Sequence, residues 1–237
     1  MKLKVKNDSR NLLTSLILVF PLFLLYQLGV VVIYPLINGA DFLTRILFHN
    51  VGLSRTAYLG YVAVTAVIFA IAVAVLRKRQ KLNLAIAIPV LFESAIYALT
   101  MGSVIVLVMT RVFGFDPKLA AGITGESVLT RMVMSVGAGV WEEAIFRLGL
   151  LSGLAVLFER VVGMRRFVAL LLAFAISSFV FSAVHHIPPY GDPVSLNVFT
   201  FRFLAGICFG LLFWFRGFAV AAYTHALYDI YVLILRP

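Results

Sequence analysis

Two adjacent glutamates, an arginine, two histidines and an aspartate stand inside apolar stretches of this chain, at spacings that suit proton-transfer chemistry. Glu142, Glu143 and Arg147 lie in the run Val140 to Arg147, His185 follows Phe181 by four residues, and Asp229 follows His225 by four. Residues four apart share a helix face, so Glu143 is expected to face Arg147, Phe181 to face His185 and His225 to face Asp229. At ~3.6 residues per turn Glu142 points about 100° away from Glu143. Glu143 and Arg147 then neutralise each other, and Glu142 is left to face a cavity. A carboxylate beside a histidine can hold and deprotonate water, and a histidine from another helix can donate to the oxyanion of an attacked carbonyl. That set of groups is suited to hydrolysis.

The elements that position these groups are membrane helices. The 237 residues are 62% hydrophobic and 13% charged, against roughly half apolar and a quarter charged for a soluble domain. The fold class expected is all-α, a polytopic bundle of about seven spans. These run from about Leu12 to Ile37, Leu59 to Leu76, Leu84 to Met109, Met132 to Leu157, Phe167 to His186, Val198 to Phe215 and Phe218 to Leu235. The first run is too long for the ~7–15 residues of a signal h-region and is read as an uncleaved span. Residues 41–57 and 111–131 are polar connections with room for interfacial or re-entrant pieces, and the Pro-Pro turn at 188–193 stops the fifth span.

The net charge of +10 sits in short clusters between apolar runs, which points to lipid head groups rather than nucleic acid. Lys and Arg counts place the N-terminus, Arg77 to Lys81, Arg160 to Arg166 and Arg216 on one side, assigned as cytoplasmic in a multi-pass cell-membrane protein. Cys208 has no second cysteine to pair with and reads as packing. Gly206 and Gly210, like Gly149 and Gly153, show small-x-x-x-small spacing that permits close helix contact. Glu93 is an intramembrane carboxylate with no motif around it, for which packing against a polar neighbour is the default. Arg202 is expected to anchor the outer end of its span, the alternative being contact with a substrate carboxylate, and His186 is read as interfacial rather than as a ligand.

Depth sets a tension. Glu142 and His185 fall in the outer half of the bilayer under this topology, whereas His225 lies nearer the inner end of its span, at ~1.5 Å of rise per residue. They meet only if the last helix tilts or starts deeper.

Taken in order, Glu142-Glu143-x-x-x-Arg147, Phe181-x-x-x-His185 and His225-x-x-x-Asp229 resemble the three signature motifs of the CAAX-protease and bacteriocin-processing family, relatives of the Ras-converting endopeptidase. The resemblance covers about Met132 to Leu235. It divides one integral membrane domain into a three-span segment, residues 1–110, of no readable role and a catalytic core, 111–237. It implies an intramembrane endopeptidase in which Glu142 and His185 activate water while His225 and Asp229 form the oxyanion site, with Glu143, Arg147 and Phe181 in support. The substrate implied is a membrane-associated peptide or protein, lipidated, exported or leader-bearing. No cofactor is expected. The alternative is zinc, since one glutamate and two histidines from separate helices could ligate it if the fold brings them together. The third motif often ends in asparagine where this chain has Asp229. An ionised aspartate only accepts hydrogen bonds, so Asp229 is expected either to be protonated by burial or to orient His225. Other classes left open are an ion-coupled transporter, for which no internal symmetry is visible, and a non-catalytic scaffold or immunity protein.

Overall fold

Val220, Ala221 and Ala222 are all fully buried, and they mark the helix around which the bundle is built. The computed structural model describes residues 10–50, 52, 54–115, 126–187 and 194–235, so the basic residues before Arg10 and the Pro-Pro turn lie outside it. All regular structure among the described residues is helical: α1 (Leu12–Ile33), α2 (Phe42–Arg45), α3 (Arg55–Arg77), α4 (Ala87–Val112), α5 (Val128–Gly137), α6 (Ser152–Val156), α7 (Arg166–Val184), α8 (Leu196–Arg216) and α9 (Phe218–Ile230).

Six helices are long and apolar enough to cross a membrane by length and composition. The element carrying the glutamates is not among them. It runs from α5 through α6 as α-turns interrupted by wider π-turns at Ala138–Glu142, Ala144–Leu151 and Leu157–Val161, and it holds three charges near its middle. Wide turns of this kind occur often at functional sites. Here Ser177 of α7 donates to the Phe146 carbonyl at 2.7 Å, and Ser152 donates to that of Arg147 at 3.1 Å. With this site helix counted, the described residues form seven long elements, as expected.

α9 packs against α1, α4, α5, α8 and both π-turns around the glutamates. Its alanines allow this, since backbones approach closely only where side chains are small. Gly139 of the site helix makes the closest fit: a Cβ there would lie 2.5 Å from the Ala222 carbonyl oxygen. Gly206 of α8 stands the same way against Ser178 of α7, at 3.0 Å, and Gly210 against Phe174 at 3.0 Å. Gly149 and Gly153 do not serve such a contact, because the only atom near Gly149 is the Ala144 carbonyl and nothing lies near Gly153. The periphery is apolar outward: α3 packs on α1 and, through Tyr58, on Phe48 and Thr44, and leaves Val64, Val67, Ile68 and Ile71 exposed to what would be lipid.

Two boundaries differ from the expectation in ways that shape the site. α1 stops at Ile33 instead of continuing to Ile37, because Tyr34 precedes Pro35 and a residue before proline is driven out of the helical region. The freed chain turns under the bundle, and Asp41 caps α2 through Thr44. α9 begins deep. Arg216, at the end of α8, pairs with Glu93 at 2.5 and 2.7 Å, and Tyr97 also donates to Glu93 at 3.0 Å. Glu93 lies in the second turn of α4, roughly 10 Å in from that helix's start at ~1.5 Å per residue. Its charge lets the α8–α9 turn sit at that depth, and Gly217, at φ +96°, supplies a backbone conformation that other residues rarely adopt. The role of Glu93 is therefore to pin this turn, and the tension over the depth of His225 is removed.

The basic clusters share one end of the bundle. Asn11 at the start of α1 bonds to Lys81 after α3, and Arg10, Arg166 and Gly217 line one cavity.

Candidate active site

Glu142 and Glu143 leave the site helix on different sides, and their partners divide accordingly. Glu143 is fully buried and holds Arg147 through Oε2, 3.2 Å from Nε. Its other oxygen accepts from His225 Nδ1 at 2.7 Å. One carboxylate thus joins the first motif to the third. Because a carboxylate can only accept, His225 Nδ1 must carry the proton, and Nε2 is turned toward Glu142. Asp229, expected either to be protonated by burial or to orient His225, makes no hydrogen bond to it. Its Oδ2 lies 3.8 Å from Nε2, too far for a hydrogen bond, so Glu143 is the orienting partner.

Arg147 is 1% exposed, and aromatic rings take the place of water around it. Its guanidinium carbon stands 4.2 Å from the Phe181 ring centre and 5.3 Å from that of Phe209, the geometry of a cation–π contact. The same two rings hold the histidines. Phe181 meets His185 edge-on at 4.7 Å, and Phe209 stacks on His225 at 4.2 Å. Phe181 therefore does more than pack beside His185. It is the wall shared by the cation and both imidazoles.

His185 is the first residue beyond α7, where the last carbonyls of a helix lack partners. It uses one: Nδ1 bonds to the Phe181 carbonyl at 2.6 Å, which requires the proton on Nδ1 and leaves Nε2 directed at Glu142. Glu142 Oε2 lies 3.4 Å from His185 Nε2 and 3.9 Å from His225 Nε2, and it is buried with no hydrogen bond from any described group. Its other oxygen is held. Asn38, on the turn after α1, donates from Nδ2 to Oε1 at 3.1 Å. The structure thus brings Glu142, Glu143, Arg147, Phe181, His185 and His225 together, with Asp229 at the rim. Side-chain exposure rises from 6% at His225 and 10% at Glu142 to 20% at His185 and 25% at Asp229, so the cluster opens on the side of the last two.

Asn38 and Phe209 had no signal in the sequence. Asn38 lies just past the end of the first expected span, and Phe209 is one of 21 phenylalanines. His186 stacks on Phe199 at 5.9 Å. Among the described residues no group of three or more His, Cys, Asp or Glu side chains is arranged to hold a metal ion.

No curated protein and no solved structure matches the chain significantly. Residues 124–231 match the family model described as Type II CAAX prenyl endopeptidase Rce1-like. That segment contains every side chain of the cluster except Asn38, and over it the chain is similar to the Rce1-like family of CAAX prenyl endopeptidases.

Proposed function

We propose that this chain is a glutamate-dependent intramembrane endopeptidase, with Glu142 as general base. The observation that carries this is the meeting of three atoms from three helices, Glu142 Oε2, His185 Nε2 and His225 Nε2, at 3.4 and 3.9 Å from the first. With Nδ1 protonated, neutral His185 offers an Nε2 lone pair beside Oε2, so a water molecule there donates one hydrogen to each. Its oxygen lone pair is then free for attack. Glu142 takes a proton as the water oxygen bonds to the scissile carbonyl carbon, and the carbonyl oxygen gains the negative charge. His225 as an imidazolium donates from Nε2 to that oxygen, with Glu143 holding Nδ1. When the carbon–nitrogen bond breaks, Glu142 returns the proton to the leaving amine. Asp229, at the open rim, borders the path of the peptide. Desolvation in an apolar bundle strengthens each of these interactions relative to water.

The family description supports a prenylated substrate, and an apolar surround is suited to one. The test is cleavage by purified protein in bicelles of a peptide ending in a prenylated Cys-a-a-X sequence, beside its unprenylated form and a leader-type peptide, with products read by mass spectrometry. Cleavage that depends on the lipid and persists in a chelator is the expected result. Loss of cleavage on chelation, restored by zinc, would replace the mechanism with a metal-dependent one. Failure on the prenylated peptide with cleavage of the leader peptide would move the substrate class.

A further inference from the structure

One side chain from outside the family segment reaches the proposed base. Asn38 follows α1 on the turn that begins at Tyr34 and is 5% exposed. Its Oδ1 accepts from the Ala40 N–H at 2.9 Å, which an amide nitrogen could not do, so the orientation of the amide is set and Nδ2 faces Glu142 Oε1 at 3.1 Å. The Asn38 N–H in turn donates to the Tyr26 hydroxyl at 3.1 Å. Tyr26 is fully buried, and its ring packs against Gly137, where a Cβ would come within 2.4 Å of it. Gly137 precedes the π-turn that ends at Glu142. The N-terminal segment therefore touches the site helix at several levels, among them Tyr26 beside Gly137 and Asn38 on the carboxylate itself.

A carboxylate with both oxygens unheld is symmetric and can turn its charge away from a bound water. A single donor on Oε1 removes that symmetry and leaves Oε2 facing the two histidines. We propose that Asn38 is a positioning residue for Glu142, and that the N-terminal spans complete the active centre by delivering it. The proposal rests on Glu142 being the base. It gives residues 1–110 a function in the reaction itself, where the sequence showed only additional spans.

The prediction is specific to turnover. Asn38 lies behind the carboxylate, on the oxygen that does not face the histidines, so its loss should lower kcat and leave KM unchanged. A reacting group held about an ångström out of place costs about 10- to 100-fold, and that is the expected fall in kcat for Asn38→Ala and Asn38→Asp. Asn38→Asp preserves shape and the acceptor for Ala40 but replaces the donor with an oxygen. Tyr26→Phe, which removes only the hydroxyl that seats the turn, should fall between these variants and wild type.

The test measures kcat and KM on the prenylated reporter peptide for wild type, Asn38→Ala, Asn38→Asp, Tyr26→Phe and Glu142→Gln, with the folded fraction of each followed by SDS titration in mixed micelles. A kcat loss in both Asn38 variants with KM within twofold and the protein folded supports the proposal. As a further arm, Asn38→Ala added to Glu142→Gln should leave the residual rate unchanged, whereas a general structural role would lower it again. Asn38 variants with wild-type kcat beside an inactive Glu142→Gln overturn the positioning role and leave the base assignment standing. A loss confined to KM, or one that follows the folded fraction, also overturns it. Wild-type activity in Glu142→Gln overturns the base assignment instead.

Discussion

Replacing Arg147 with methionine isolates what the buried cation does. The substitution keeps length and apolar contact with Phe181 and Phe209, and removes the charge that stands 3.2 Å from Glu143. Both partners are essentially inaccessible, 1% and 0% exposed, so no water replaces the lost guanidinium. Breaking one side of a buried pair costs about 3–5 kcal/mol, because the remaining carboxylate keeps only the hydrogen bond from His225 Nδ1 and is otherwise stranded. The cation–π contact with Phe181 at 4.2 Å adds about 2 kcal/mol when desolvated. Methionine packing on the rings returns part of this, so Arg147→Met should lose about 4 kcal/mol, read as the midpoint shift of SDS unfolding in mixed micelles. The double variant Arg147→Met with Glu143→Gln should regain about half of that, since the stranded charge is gone. It should not regain activity, because the bond from His225 Nδ1 is then to a neutral amide oxygen and roughly half as strong. Arg147→Met within about 1 kcal/mol of wild type, or a double variant no more stable than the single, would refute the stranded-charge reasoning.

Three further outcomes follow from distances. Asp229→Asn should keep activity within about tenfold of wild type, because Oδ2 makes no hydrogen bond to His225 at 3.8 Å and an amide can donate to an oxyanion. A loss as deep as that of Glu142→Gln would contradict this. Gly139→Ala should cost about 1–3 kcal/mol and most of the activity, since its methyl would stand 2.5 Å from the Ala222 carbonyl and must push α9 away. Gly153→Ala, where nothing lies within 4 Å, should be neutral or stabilising by up to about 1 kcal/mol; equal SDS midpoints for the two alanine variants would count against α9 as the central strut.

The membrane helices and the grouping of the motifs could be read from residue order, because apolar runs and four-residue spacings are local properties. The partners of Glu143 and Glu142 could not. His225 meets Glu143 across 82 positions, and Asn38 meets Glu142 across 104, and no local pattern connects either pair. The early end of α1 did carry a signal, Pro35, which the surrounding apolar residues outweighed. The depth of α9 depends on Glu93 meeting Arg216, two isolated charges 123 positions apart that compensate each other. The π-widening of the site helix has no sequence signature, although it is where the glutamates sit. Spacing paired Asp229 with His225 because four residues share a face, yet the stronger acceptor came from another helix.

The role of Glu142 is tested most directly by one measurement. Glu142→Gln preserves side-chain shape and can still accept from Asn38 on the oxygen that now sits at Oε1, while the carboxylate proposed to take the proton from water is gone. Hydrolysis of the prenylated reporter peptide by folded Glu142→Gln should fall by about 10³-fold or more in kcat, within the general-base contribution of about 10²–10⁴. Turnover within tenfold of wild type would contradict the assignment of Glu142 as the base.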